Sequence, residues 1–440
     1  AFARSGISKI VLGANTVLAS MDIGTFENVS SLAVDASASN YYKVEGNVVY
    51  NKSGDTLVLY LPGSGETTFT VPANVKHIGD GAFAANSSLT TIEFAPNSSL
   101  ESIGYAAFAN CVNLATVNLP TNTISIGDAA FKGASALKNI SLANVKSVGK
   151  EAFVGTIIES VNMPLAGVEI GEKAFASLNS LKTVVLGEGA KIGTYAFYKS
   201  KVESVDFNGG NVTVDTHAFD GCTALKTFDF SDIVGVIGEC AFQGCSKLTE
   251  VNIPGVTEIG DYAFQYCSLT SITIPNGVTS IGDWAFYDCR SLTNVSIGNS
   301  VTSIGARAFA FTPLQQIAIP NSVTHIGEAA FGSCDSLVSV KLPNSVTTLK
   351  TYAFSECSHL QKVSIGDSIK TIEHGTFGGC TNLSDVHIGK GVTHIDVYAF
   401  SGCDSLKTLH IPSNVTTISD LAIPEHTEII FEQQIKDNID

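Results

Sequence analysis

The chain has 440 residues, 44% of them hydrophobic and 15% charged, with a formal net charge of −16 and a pI near 4.9. The apolar fraction is enough for a large core, while Ser, Thr, Asn and Gly take the place of the charges that dress an average globular surface. With no basic stripe, neither nucleic acid nor an anionic membrane surface is an expected partner, and no apolar run approaches the ~20 residues that a spanning helix requires.

The opening stretch "AFARSGISKIVLG" lacks the charged-then-apolar order of a secretory leader. It begins inside a repeat, so further sequence upstream is expected. The repeat is seen by taking the Phe of each "AF"-like pair as a mark. The marks fall at Phe83, Phe108, Phe131, Phe153, Phe175, Phe197, Phe219 and Phe242, and continue at Phe264, Phe286, Phe309, Phe331, Phe354, Phe377 and Phe400. Successive intervals are 22 to 25 residues, and Phe2 and Phe26 extend the series upstream to seventeen marks. Between Phe26 and Phe83 lies an insertion of about 34 residues. Within residues 36–70, "NVVY" and "TLVLY" flank the turn "NKSGD", a β-hairpin pattern.

Clean copies such as "LTSITIPNGVTSIGDWAFYDC" give the anatomy of one unit. The alternation Ile272, Thr273, Ile274 has the period of two that a strand needs. Pro275-Asn276 is a turn signal, and "VTSI" is a second short β-like run. The following glycine, four residues before the Phe, is present in eleven of the fifteen main copies and replaced by Asp215, Lys350, Glu373 and Asp396 in the rest. A bend that tolerates such side chains is not an obligatory left-handed glycine. The "AF-x-x-C" segment is too short for an independent helix and is expected to form one helical or 3₁₀ turn. A unit of this size cannot bury its own apolar residues, so copies must stack, each strand pairing with its equivalent in the next coil. At roughly 4.8 Å per strand, seventeen coils would make a curved rod on the order of 80 Å long. The expected organisation is one solenoid of about 17 repeats over residues 1–440, closed by a charged C-terminal cap at 421–440.

The order, spacing and residue types of L-x-x-V-x-I-P-x-x-V-x-x-I-G-x-x-A-F-x-x-C resemble the BspA-like leucine-rich repeat family, over nearly all of residues 1–420. The resemblance implies a β-rich (α/β-type) solenoid: a curved, right-handed leucine-rich repeat superhelix with a parallel β-sheet and one strand per 22–23-residue repeat. It implies a secreted or cell-surface location, as in bacteria and some protists, and loosely an adhesive role. It brings no catalytic residues and no cofactor, so an enzyme is not expected. Similar hairpins interrupt BspA-like arrays.

Ten cysteines are present, and nine fall three residues after a marker Phe: Cys111, Cys222, Cys245, Cys267, Cys289, Cys334, Cys357, Cys380 and Cys403. Asn86, Ala134, Thr156, Leu178, Ser200 and Thr312 fill the same slot elsewhere, so size is the first requirement and buried free thiols are expected. Disulfides, metal and redox roles are alternatives: equivalent positions lie within bridging distance but with parallel side chains, and one cysteine per coil lacks the close pairs of a zinc site. His387 and His410 recur at one position 23 residues apart and are expected to stack facing outward, without a third metal ligand.

The outward strand position between the two inward apolar residues is the expected binding column. Its candidate residues are Glu93, Asn118, Asn162, Asp206, Asp229, Asn252, Lys341, His387 and His410. Small neutral residues such as Thr273, Ser296 and Ala318 lie between them, and aromatic anchors are missing from it. The expected partner is an extracellular protein or glycan ligand engaged by a monomer. The alternative is a structural spacer within a larger surface protein.

Overall fold

The structure, a computed structural model, describes residues 6–18, 29, 31–63, 65–228 and 230–432, in two compact units, Ala1–Ala224 and Leu225–Asp440. The upstream marks Phe2 and Phe26 lie outside the described residues. Each unit is a parallel β-solenoid whose coils turn through three walls.

Wall A is made by the V-x-I strands. In the first unit Thr68–Val71, Thr91–Phe94, Thr116–Val117 and Asn139–Ile140 pair in parallel register, followed by Ser160–Met163, Thr183–Gly187 and Ser204–Asn208. In the second unit Ser271–Ile274 pairs Asn294–Ile297, Ser339–Lys341 leads through Lys362–Ser364 to Asp385–His387, and Thr408–Ile411 pairs Glu428–Phe431. The alternation in sequence becomes an alternation in burial: Ile272 and Ile274 are buried while Ser271 and Thr273 are exposed. Wall B is the second short run, two residues in most coils, as in Ser280–Ile281 against Ser303–Ile304. Each inward apolar side chain contributes roughly 1.5–3 kcal/mol on burial, and each strand ladder satisfies the backbone groups that such burial would otherwise strand.

Residues 42–60 feed into this stack. Val48–Asn51 pairs antiparallel with both Tyr42–Glu45 and Thr56–Tyr60, and the last of these also pairs in parallel with His77–Ile78 in wall B. At the other end Glu428–Phe431 lies in register along Thr408–Ile411 with all four residues exposed.

Wall C carries the "AF-x-x-C" segment, and here the expected helical or 3₁₀ turn gives way to a different arrangement. The amides of Ala106, Phe108 and Asn110 donate to the carbonyls of Asp128, Ala130 and Lys132 in the next coil, at 2.7–2.8 Å. Alternate amides close local i→i−3 turns instead, as from Ala109 to Ala106 and from Cys111 to Phe108. A helix would keep all these bonds to itself. Sharing half of them with the neighbour requires left-handed residues two before and two after each Phe: Ala106 and Asn110, or Trp284 and Asp288, with φ between 50° and 58°. Under this ribbon the marker rings form a stack. From Phe83 to Phe219, and separately from Phe242 to Phe400, neighbouring rings lie 4.8–5.8 Å apart and within 13° of parallel. Tyr60 continues the first stack by lying 5.2 Å above Phe83.

The glycine four residues before each Phe has a different purpose from the left-handed positions, since Gly282 has no positive φ. Asp261, in the coil before, reaches across to accept the Asp283 amide at 2.7 Å. A Cβ at Gly282 would stand 2.6 Å from the Asp261 amide nitrogen and 2.7 Å from its carboxylate. The same cross-coil cap joins Asp80 to Tyr105 beside Gly104, and Asp283 to Ala306 beside Gly305. Where the glycine is absent, Asp215 and Asp396 cap the next amide of their own coil, Thr216 and Val397, at 2.7 Å. Two equivalent caps thus explain much of the variation at this position. Gly282→Ala removes room for one of them and is expected to cost about 1–3 kcal/mol, read as a lowered urea midpoint. A change below about 0.5 kcal/mol, the scale of a neutral surface substitution, would contradict this account.

Candidate binding surface

The candidate column lies on the outer side of wall A, as the alternation requires. Glu93, Asn118, Asn162, Asp206, Asn252, Lys341, His387 and His410 are all exposed, and Asp229 lies outside the described residues. Register places Glu93 opposite Thr70, Val185 between Asn162 and Asp206, Thr273 opposite Ser296, and Ser364 between Lys341 and His387. Asn252 joins Thr273 through an isolated bridge. His410 faces Ile430 of the terminal strand.

The wall is not continuous, and two of its grooves open at breaks. In the second unit residues 316–319 form no strand, so the ladder stops after Asn294–Ile297 and restarts at Ser339–Lys341. A groove of about 690 Å³ lies there, lined by Thr273, Asn294, Ser296, Gln316, Ala318 and Lys341 among others. In the first unit the ladder stops after Asn139–Ile140 and restarts at Ser160–Met163. A groove of about 520 Å³ spans that gap, with Asn118, Asn139, Ser141 and Asn162 on its walls. A third, of about 500 Å³, lies beside it along Asn97, Asn118, Thr121 and Asn122. The grooves therefore gather Asn118, Asn162 and Lys341 from the predicted column. Glu93, Asp206, Asn252, His387 and His410 stand outside them.

These two breaks follow a coil in which the link from Phe to the next strand is one residue shorter, Phe153 to Ile158 and Phe309 to Leu314, while a further break, between Asp385–His387 and Thr408–Ile411, follows a link of the usual length. Both of the shortened coils carry threonine in the cysteine slot. Thr156 and Thr312 donate to the carbonyl of their own coil's Phe, at 2.8 and 2.6 Å. The cysteines do otherwise. Cys111, Cys289 and Cys403 donate to Phe83, Phe264 and Phe377 of the coil before, at 3.0–3.3 Å. Ser200 makes the same bond to Phe175 at 2.6 Å. The cysteines and Ser200 in this slot thus donate backwards across the coil boundary, a bond that Ala134 and Leu178 do without. All ten cysteines are buried and unbridged. Burial in apolar surroundings pushes the thiols of Cys111 and Cys289 up to about 12, the reverse of a reactive thiolate. The grooves mix amide and hydroxyl groups with apolar ones such as Val295 and Pro343, and two of them hold one cation each, Lys341 and Lys138. Such a surface offers hydrogen bonds in both directions and little charge. That suits an extended polar chain.

Stacked coils of 22–23 residues with a parallel ladder, an inward Leu/Ile lattice and a Phe spine define a leucine-rich repeat solenoid. The family model described as BspA type leucine rich repeat region (6 copies) matches residues 63–182, 146–256, 212–334 and 302–430. The chain belongs to this family. Among solved structures it is similar to a leucine-rich repeat protein from Bacteroides ovatus, at 24% identity over 89% of this chain and 98% of that one, with a TM-score of 0.58. It is also similar to a leucine rich cell surface protein from Faecalibacterium prausnitzii, at 25% identity over 91% and 97% of the two chains with a TM-score of 0.35. A third likeness is to the pneumococcal vaccine antigen PcpA, at 20% identity over 89% and 88% with a TM-score of 0.40. No curated protein matches the chain.

Proposed function

We propose that this chain is a non-catalytic binding protein of the cell surface or secreted space, which engages an extended polar ligand along wall A. The ligand is a host protein segment, extracellular matrix or glycan. The observation that carries this reading is that the grooves of about 690 and 520 Å³ open at two of the ladder breaks. A continuous sheet face would present only solvated side chains, whereas the breaks open concave sites on the column that the repeat directs outward. Membership of a surface-associated repeat family supports the location. The low charge and the Asn, Ser and Thr lining support a ligand recognised by hydrogen bonds, with Lys341 positioned for a carboxylate or sulfate group. No cofactor is required.

The test is an array of matrix proteins and glycans probed with the whole chain and with Ala318→Trp. Ala318 is exposed and lies in the groove of about 690 Å³, so a tryptophan there fills the site without entering the core. Binding to at least one member of the array is expected, weakened tenfold or more by Ala318→Trp at an unchanged thermal midpoint, a loss of about 1.4 kcal/mol. Absence of binding throughout would favour the spacer reading. Binding indifferent to Ala318→Trp would remove the groove from it.

A further inference from the structure

The wall A column has no aromatic anchor, but wall C of the second unit carries a cluster of them. Tyr262, Trp284 and Arg307 occupy the position two before the Phe in three successive coils, Tyr287 the position one after, and Tyr266 and Phe311 the position two after. Sequence offsets of −2, +1 and +2 meet on one surface because the wall C ribbon folds back on itself. Tyr262 lies 6.0 Å from Trp284 at 18°, and the Arg307 guanidinium sits 4.8 Å from the Trp284 ring. Trp284 contacts Tyr287 at 4.4 Å, and Tyr287 lies 5.9 Å from Tyr266 and 5.3 Å from Phe311. Tyr266 and Phe311 remain 48% exposed.

Aromatic residues recur in the left-handed column two before the Phe, as at Tyr195, Tyr352 and Tyr398, and what sets this cluster apart is the column two after it. The column two after the Phe is left-handed and is glycine at 133, 155, 221, 244, 379 and 402. Elsewhere it is small or polar except at Tyr266 and Phe311, whose φ values are 61° and 59°. A bulky aromatic there is strained where glycine or asparagine would be at ease. The strain accompanies two rings that leave about half of their surface in solvent, more than packing on Tyr287 alone calls for.

Charge defines what fits. The column beside the cluster holds Glu239, Asp261, Asp283 and Glu328. Nearby cations are already engaged, Arg307 with Glu328 at 3.0 Å and Arg290 with Asp288 at 2.7 Å. Elsewhere on wall C the chain lays its own cations on such rings, Lys173 on Tyr195 at 5.3 Å and Lys199 on Tyr198 at 4.8 Å. Trp284, between Tyr262 and Arg307 in coil order, offers no free face for a sugar ring to stack upon. A second copy would bring the same acidic column against itself, in a chain of net charge −16. Tryptophan, tyrosine and arginine are also the residues that dominate protein–protein binding energy.

We propose that Tyr262, Tyr266, Trp284, Tyr287 and Phe311 form a second recognition surface, for a polypeptide segment bearing arginine or lysine, whose cations meet exposed rings flanked by carboxylates. This surface is separate from the wall A grooves and does not depend on them.

Trp284 is the only tryptophan of the chain, so selectively excited fluorescence reports on this surface alone. The probe is a synthetic peptide of alternating arginine and glycine at physiological ionic strength. The comparators are the glutamate–glycine counterpart and a neutral N-acetylglucosamine oligomer. A saturable change in Trp284 emission is expected with the arginine peptide only. Tyr266→Asn/Phe311→Asn should weaken it tenfold or more, in keeping with the loss of two anchors. That variant leaves the net charge untouched, so general electrostatic attraction cannot produce the difference, and asparagine accepts the left-handed backbone. If circular dichroism shows the double variant misfolded, Phe311→Asn alone makes the comparison. Equal affinity in wild type and variant, no change in emission, or an equal response to either comparator would overturn the proposal. So would self-association in sedimentation that the variant abolishes, which would assign the surface to a second copy.

Discussion

Replacing Phe286 by alanine is expected to cost about 3–5 kcal/mol, the largest loss from any single change in the repeats. The ring is fully buried, 5.5 Å from Phe264 on one side and 5.2 Å from Phe309 on the other, within 9° of parallel to each. Its removal leaves a ring-sized void with contacts missing from both neighbours, and wall C cannot collapse into it because the Phe286 amide remains bonded to Ala308 at 2.8 Å. A stack of repeats is held by nearest-neighbour interfaces, so the damage should be more than a uniform loss of stability. The two interfaces flanking coil 286 weaken together, and chemical denaturation should become less cooperative, with a lower slope as well as an earlier midpoint. Phe83→Ala offers the comparison, since its ring lies between Tyr60 and Phe108 and stacks on a marker Phe on one side only, so that less of the spine is interrupted. A Phe286→Ala cost below about 1 kcal/mol, with slope unchanged, would mean that the Phe spine is not what couples the coils.

The spine itself is legible in the sequence, because a residue that recurs every 22–25 positions can be buried only if the coils that carry it stack. The same logic located the outward column, and the period of two in Ile272-Thr273-Ile274 was sufficient to say that Thr273 faces out. Wall C was harder to read. Its left-handed positions are mostly not glycine, and nothing in "GDWAFYDC" shows that Trp284 and Asp288 adopt positive φ. That follows from sharing alternate amides with the next coil, a property of the stack and not of the segment. The glycine at 282 was rightly separated from a left-handed role, but its reason lies in Asp261, a residue 21 positions earlier, where the two coils touch. The wall A grooves depend on register as well. A link shortened by one residue before Leu314 is visible in the sequence, yet coil 197–202 has an equally short link and its strand Ser204–Asn208 still pairs. Shortening alone does not break the ladder. The threonines at 156 and 312, bonding within their own coil, accompany two of the breaks, whereas the ladder also stops between Asp385–His387 and Thr408–Ile411 after a coil with Cys403 in the slot.

The cysteine column yields the other large expected effect. In the native protein a thiol-specific alkylating reagent at neutral pH should leave the cysteines almost untouched, and after denaturation all ten should react. Cys289 is buried and its thiol is pushed from 9.0 to about 12 by desolvation, so its thiolate fraction is about 10³-fold lower from ionisation alone, before access to the buried sulfur is counted. The same shift ties stability to pH. In the unfolded chain the thiol loses its proton near pH 9, while in the folded chain it holds it to about pH 12. Above pH 9 the native state therefore binds more protons than the unfolded state, and stability must fall as pH rises. The slope is about 1.4 kcal/mol per pH unit for each such thiol. Below pH 9 both states are protonated and the term vanishes. Cys289→Ser isolates it. Serine does not titrate, and Ser200 already shows that a hydroxyl in this slot reaches the preceding Phe carbonyl, Phe175, at 2.6 Å. The variant should be modestly changed in stability at pH 7 and should lose less than the wild type above pH 9, the difference approaching about 1.4 kcal/mol per unit between pH 10 and 11. Tyrosine and lysine titrations are common to both proteins and cancel in the difference. Parallel pH profiles, or native thiols that react at the rate of a free one, would show that the column is open to solvent and that these cysteines are not the internal donors of the coil boundary.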